Sequence, residues 1–283
     1  MSAIVLHALR SLTAQGLDSV ERDMLATTQV ECPVYHHFGP GVYVREVHMP
    51  GGTLALGHRQ LQPHLNILLK GEVLLYNAEL DNLTRLQAPF MYVGGPGRKL
   101  GYITQDMVWQ NIYATTERDV RRLEEMFIDK SATFAEVRAA HVLVSAAAAR
   151  ADQENYRGRL ERSGLTEEYV QRIVQNMEDQ VDMPQGSWPV RVDTSPIHGY
   201  GIFCTAPVAA GAVVAPARVR GKRTPVGRYT NHSASPNCRM SMLPNGDVLL
   251  VALRNLRGSA GGLPGEEATI DYWQALREIG AFA

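Results

Sequence analysis

Two short stretches near the end of the chain concentrate side chains that can do chemistry. RYTNHSASPNC, residues 228–238, sets Asn, His, Ser and Pro around one another with almost no aliphatic residue. GEEATIDYW, residues 265–273, closes an acidic and β-prone run on Tyr272. Upstream, SPIHGYGIF, residues 195–203, brackets Tyr200 with Gly199 and Gly201 just before an apolar pair. Taken singly these patterns are ordinary: NHSASPN reads as an Asx-turn stopped by proline, and a strand tyrosine as packing. Glycines that let main-chain N–H and C=O groups come close, beside short amide, imidazole and hydroxyl side chains, suit a small polar ligand. A second group, His58, Gln60 and His64, lies in GTLALGHRQLQPHLNILLKG, which starts at Gly52. Two imidazoles and an amide make a poor divalent site beside the usual three or four N/O ligands, so no metal is assigned and His58 and His64 are read as hydrogen-bonded structural groups.

In their order, the three C-terminal pieces resemble the SET domain of protein lysine methyltransferases, which carries a GxG turn, an RFxNHSxxPN segment and a GEExxxDY segment. The match covers residues 188–273, about a third of the chain. The resemblance implies a β-clip fold with a knot-like crossing, in which the NHS segment threads under a loop made by the final motif. It implies S-adenosylmethionine as cofactor, contacted by His198, Gly199, Tyr200, Gly201, Arg228, Asn231 and His232, with Arg228 and Asn237 helping to hold the crossed segments. Tyr272 is then the catalytic residue, its hydroxyl turned toward the sulfonium methyl and the attacking nitrogen.

The implied activity is protein lysine N-methyltransfer to a partner protein with an accessible lysine. Neutralising a free lysine at pH 7 costs roughly 4 to 5 kcal/mol. An apolar channel beside a positive sulfonium lowers that cost, so positioning supplies most of the catalysis and no dedicated base is required. A second reading is a SET module that holds cofactor without turnover, joined to a ligand-sensing or dimerising barrel. A third makes the barrel a metal enzyme, against which the pattern His58, Gln60, His64 and Leu100 counts.

The chain departs from the SET pattern in two places. Ala234 stands where many members carry a zinc-binding cysteine, and WQALREIGAFA contains no cysteine to complete such a site. The stretch from Phe203 to Arg228 is short where a longer insert usually walls the peptide groove; segment 117–182 or a second protomer are the candidates to close the channel. The remnant ARVRGKRTPVGR is basic and reads as a solvated loop.

The N-terminal stretch resembles a second family. Gly52, His58, Gln60, His64 and Gly71 fall on the spacings of the cupin motif G(x)5HxH(x)3E(x)6G, with two of three ligand types changed. PGRKL resembles the second cupin motif, with Leu100 at its histidine. The implied fold is a jelly-roll barrel that pairs into a homodimer.

The elements that must position these groups follow from pattern. The expected fold class is mainly β with a helical connector: a cupin-like barrel with an N-terminal helix over 1–115, helices over 116–186, and a SET domain over 187–283. Short β-branched and aromatic runs punctuated by Gly and Pro fill Cys32 to Tyr113. The text then turns helical, capped at Thr116, broken at Gly158 and at Ser163-Gly164, and restarted at Thr166. PQGSWP marks a linker, and the NG of MSMLPNGDVLLVAL a hairpin. Among 283 residues, 45% are hydrophobic and 20% charged, and the net charge is −1, which gives no global attraction to nucleic acid or anionic membrane. Three scattered cysteines, Cys32, Cys204 and Cys238, form neither a disulfide framework nor a zinc knuckle. With no leader or membrane span in the text, the reading is cytoplasmic.

Overall fold

A computed structural model describes residues 16–77, 80–164 and 166–278, with 142–148 and 174 described by backbone alone. MSAIVLHALRSLTAQ, on which the reading of the N-terminus rests, and the final IGAFA lie outside the described residues. The fold is mainly β with helices. The chain divides into two compact units, one of Met1–Glu117, Arg122–Ala139 and Ala260–Leu263, the other of Arg118–Arg121, Ala140–Ser259 and Pro264–Ala283. Among the described residues no helix is long and apolar enough to cross a membrane.

In the first unit, helix α1 (Leu17–Leu25) precedes strands β1 (Val34–Gly39), β2 (Val42–Met49), β3 (Leu54–Leu56), β4 (Arg59–Gln60), β5 (His64–Asn77), β6 (Asn82–Gln87), β7 (Phe90–Gly94) and β8 (Lys99–Ala114). The hydrogen-bonded order within the unit is β1-β2-β8-β5-β6, with β3 added to β8 and β7 to β5. All these pairings are antiparallel, and β8 returns to lie between β2 and β5, so neighbours in the sheet are not all neighbours in sequence. The pairings run as an open path, so the expected closed barrel is not made by strand pairing among the described residues.

Two strands carry the architecture. With 14 and 16 residues, β5 and β8 are far longer than the usual five or six, and each serves two sheet segments. The first half of β5 pairs with β7 and its second half with β6; the second half of β8 pairs with β2 and its first half with β3. Between the halves the register breaks, from Leu68 to Val73. Gly71 sits in that break with φ +86, and a Cβ there would run into the backbone of Gln105 and Asp106. Only glycine permits both the positive φ and the close approach. Trp109 lies inside β8, because KLGYITQDMVWQNIYA forms one continuous strand.

The register stacks the inward face in rows. Val34, Val47, Trp109 and Leu68 form one, and join Val73, Leu86, Ile103 and Met107 in the main core. Each fully buried Leu or Ile there contributes roughly 2 kcal/mol. On the opposite face of β5, Leu74 and Tyr76 meet Leu100 and Leu17, so α1 is held by the apolar stripe Leu17, Val20 and Met24.

The helical text resolves into α2 (Val120–Phe127), a short strand β9 (Ile128–Asp129), α3 (Ala132–Ser163), α4 (Glu167–Val174) and a 3-10 turn at Met177–Asp179. Thr116 does not cap α2; the Asp119 carboxylate accepts from Arg121 N at 2.9 Å, which places the cap next to the first helical residue. Nor does Gly158 break α3. A lone helix glycine costs about 1 kcal/mol, too little to end this long helix, and α3 ends before Gly164, whose φ is +66. Thr166 caps α4 by accepting from Tyr169 N.

The second unit adds β10 (Gly186–Trp188), β11 (Val190–Thr194), β12 (Tyr200–Cys204), β13 (Val213–Val219), β14 (Lys222–Arg223), α5 (Pro225–Tyr229), β15 (Asn231–His232), β16 (Cys238–Met242), β17 (Val248–Ala252), β18 (Glu267–Ile270) and α6 (Tyr272–Glu278). Two sheets form, β11-β12-β18-β15 and β14-β13-β17-β16. The NG hairpin joins β16 and β17, with Gly246 at φ +84. Cys204 and Cys238 are buried free thiols, and burial pushes each up to about 12.

Candidate functional site

The first sheet of the second unit brings the three motif segments together. β12, from the GYG turn, pairs antiparallel with β18, from the GEE segment, and β18 pairs on its other side, in parallel, with β15, the Asn-His of NHS. Asn231 lies opposite Thr269 and His232 opposite Ile270. Residues more than thirty positions apart therefore meet on one short strand.

Composition explains the rest. Thr230, Asn231, His232, Ser233 and Asn237 are all buried, and buried polar groups need partners. Asn231 Nδ2 lies within hydrogen-bonding distance of Ser195 Oγ at 3.0 Å, the Tyr200 carbonyl at 3.0 Å, the His198 carbonyl at 3.3 Å and Glu267 Oε1 at 2.8 Å. Asn237 donates to the Glu267 carbonyl at 2.7 Å and accepts from Thr269 N at 2.8 Å. Short side chains reach these backbone groups without filling the space between strands. Gly201 leaves room for the Glu267 carboxylate, which a Cβ there would push aside.

His232 is fixed at both nitrogens. The Tyr272 backbone N–H donates to Nδ1 at 3.3 Å, so Nε2 carries the proton and donates to Asn155 Oδ1 at 3.0 Å. Burial holds its pKa below the ordinary value, so it is neutral at pH 7. Tyr272 opens α6 rather than lying in a strand, and its hydroxyl donates to the Thr230 carbonyl at 3.0 Å. Burial raises its pKa.

Other residues named from sequence stand further out. Gly199, at φ +50, makes the turn before β12. The His198 imidazole faces Glu167 at 3.3 Å, and the Tyr200 ring is exposed, edge-on to Tyr229 and beneath Arg121. Arg228 does not hold the crossing; it donates to Gln180 at 2.6 Å and lies over the Tyr229 ring. The basic remnant is likewise no solvated loop, because Arg218 and Arg223 both pair with Asp179, at 3.3 and 2.9 Å.

Five residues that carry no motif of their own in the sequence complete the site, Glu267 and four from α3. Glu267 is enclosed, and burial lifts its carboxyl to about 7, although Asn231 and Ser195 oppose the rise by donating to it. From α3, Asp152 accepts from Ser233 Oγ and Ala234 N, both at 2.9 Å; Asn155 takes His232; and the Tyr156 ring stands edge-on to Tyr272 at 5.8 Å. Arg159 reaches Asp271 at 3.2 Å and covers the Trp273 ring. The spacing 152, 155, 156, 159 is one face of a helix, a signal present in the sequence. Two surface depressions, one lined by residues such as His48, Lys70 and Asp106 and the other by Glu168, Arg172 and Asp179, contain neither Asn231 nor Tyr272.

In the first unit, His64 Nδ1 donates to the Gln62 carbonyl at 3.1 Å, leaving Nε2 to accept from Asn111 at 3.2 Å. Gln60 accepts from the Tyr113 hydroxyl at 2.9 Å. His58 is edge-on to Phe134, and burial with the nearby charge of Lys130 depresses it to about 3. Leu100 is buried in the cluster beneath α1. Among the described residues no three His, Cys, Asp or Glu side chains gather as metal ligands, and the residues on the cupin spacing do not fit a divalent ion.

No family model matches the chain, and no curated protein does. Solved structures similar to part of it include cupin-fold proteins. One is a rmlc-like cupin family protein with a double-stranded beta-helix fold from Methanocaldococcus jannaschii, 16% identical over 35% of this chain and 88% of that one, TM-score 0.27. Another is the Cnp3 cupin domain of Schizosaccharomyces pombe, 15% identical over 37% and 78%, TM-score 0.25. A third is a cupin superfamily protein of Desulfitobacterium hafniense, 9% identical over 33% and 86%, TM-score 0.26. At these values the likenesses assign no ligand, metal or reaction to this chain.

Proposed function

We propose that the second unit is a SET domain acting as an S-adenosylmethionine-dependent protein lysine N-methyltransferase, and that the first unit is a cupin-like domain serving dimerisation or substrate presentation. The observation that carries this reading is Asn231, whose buried amide ties the GYG turn to the Glu267 strand beside Tyr272. The acceptors gathered there, the His198 and Tyr200 carbonyls and the Glu267 carboxylate, suit a ligand that carries an ammonium and a sulfonium. When bound, that cofactor supplies an electrophilic methyl group. Asn231 and Gly201 shape the backbone that would hold it, and the Tyr272 hydroxyl, oriented by Thr230, faces the incoming amine. Enclosure strips water from the lysine and favours its neutral form. The α3 face carrying Tyr156 stands in for the missing insert as a wall of the channel.

A second reading, a cofactor-holding module without turnover, is favoured by the engagement of the Tyr272 hydroxyl with Thr230 and by the packing of α3 residues on His232. Labelled cofactor incubated with a host-cell lysate separates the two. Methyl transfer that falls on the order of 100-fold in Tyr272→Phe supports the enzyme. Calorimetric binding without transfer supports the module, and no binding of S-adenosylmethionine removes both.

A further inference from the structure

The inward face of the first unit carries a polar row between two that are apolar or aromatic. His36, Arg45, Asn111 and Asn66 lie opposite one another across β1, β2, β8 and β5. On one side of this row stand Val34, Val47, Trp109 and Leu68; on the other, the rings of Phe38, Tyr43, Tyr113 and His64 stack 5.2 to 5.9 Å apart. His36 and Asn66 are almost fully buried, and Arg45 is half-buried.

Arg45 is the anomaly. Among the described residues its guanidinium makes no ion pair or hydrogen bond, whereas its sequence neighbour Glu46 points to the opposite face and is taken by His48 and Gln110, each at 2.7 Å. Its charge is felt at Tyr113 and at His58. Glu124, the carboxylate that His58 senses, is paired with Lys130 at 2.6 Å. At the other end of the row the charge of Lys99 is felt by His64. A half-buried cation kept in a core-facing row without a counter-ion is a standing cost that a bound anion would offset.

We propose that this row is a binding site for a small organic carboxylate, its carboxyl group on the Arg45 guanidinium and its carbon skeleton against the aromatic row. The planar fork of arginine matches a carboxylate with two parallel hydrogen bonds. Asn111 and Asn66 bond each other at 2.8 Å and Trp109 bonds Asn66 at 3.2 Å, which holds the floor of the site rigid. Carboxylate rather than phosphate is indicated by the surroundings, which are amide and imidazole side chains with aromatic rings alongside.

The test is isothermal calorimetry at constant ionic strength with acetate, pyruvate, succinate, benzoate and inorganic phosphate as probes, on the full chain. At least one carboxylate should bind, and Arg45→Met should weaken it about tenfold or more. If that variant fails to fold, Asn111→Asp is the second arm: it sets an internal carboxylate beside Arg45 and should abolish probe binding. The proposal is overturned if no carboxylate binds, if phosphate alone binds, or if binding survives both substitutions. Because the probes address the first unit, these outcomes are independent of S-adenosylmethionine binding.

Discussion

Glu267 is the residue whose chemistry is most distorted by its surroundings. Its folded pKa of about 7 stands above the ordinary 4.5, so between those values the folded chain holds a proton that the unfolded chain has lost. Stability contributed by this group therefore falls as pH rises through that window, and above about 7 the full cost, roughly 3 kcal/mol, is present. Urea midpoints measured from pH 4.5 to 8 should show Glu267→Gln gaining on wild type as pH rises; a difference that stays flat would show the carboxyl to be ionised throughout. Sequence made Tyr272, Asn231 and His232 legible because each sits in a motif. Glu267 was hidden in the same motif because nothing in GEEATIDYW says which acid turns inward. Arg45 was hidden because its inward direction depends on the strand register.

At the scale of elements, two features carry the positioning. Gly71 lets β5 bend between two sheet segments, and Gly71→Ala should destabilise the first unit by about 2 kcal/mol or more, read by denaturant unfolding, because both its φ and its space forbid a side chain. In the second unit, α3 reaches the motif segments through Asp152. Asp152→Ala leaves the buried Ser233 hydroxyl without its acceptor, while the exposed Ala234 N–H turns to water, and should cost about 1 to 3 kcal/mol in the same experiment. Strand and hairpin positions were largely readable, since alternation and the NG turn are local signals. The continuity of α3 and β8 was not, because tertiary packing carries a chain through a glycine or a polar residue that would end an isolated element. The arginines of residues 218–228 show the same limit: their partners, Asp179 and Gln180, lie some forty residues upstream.

For the whole molecule, the division into two units, each with its own core, predicts two heat-absorption transitions in scanning calorimetry. S-adenosylmethionine should raise the transition of the second unit and leave the other in place; one concerted transition moved as a whole would show the units to be energetically inseparable. The buried cysteines give this unit a built-in clock. With thiols held near 12 and shielded by packing, Cys204 and Cys238 have almost no thiolate at neutral pH while the unit is closed. An alkylating reagent will therefore modify them only when the surrounding sheets part, so the labelling rate in native buffer counts spontaneous openings, and any ligand of this unit, the proposed S-adenosylmethionine included, should slow it in proportion to how firmly it keeps the sheets shut.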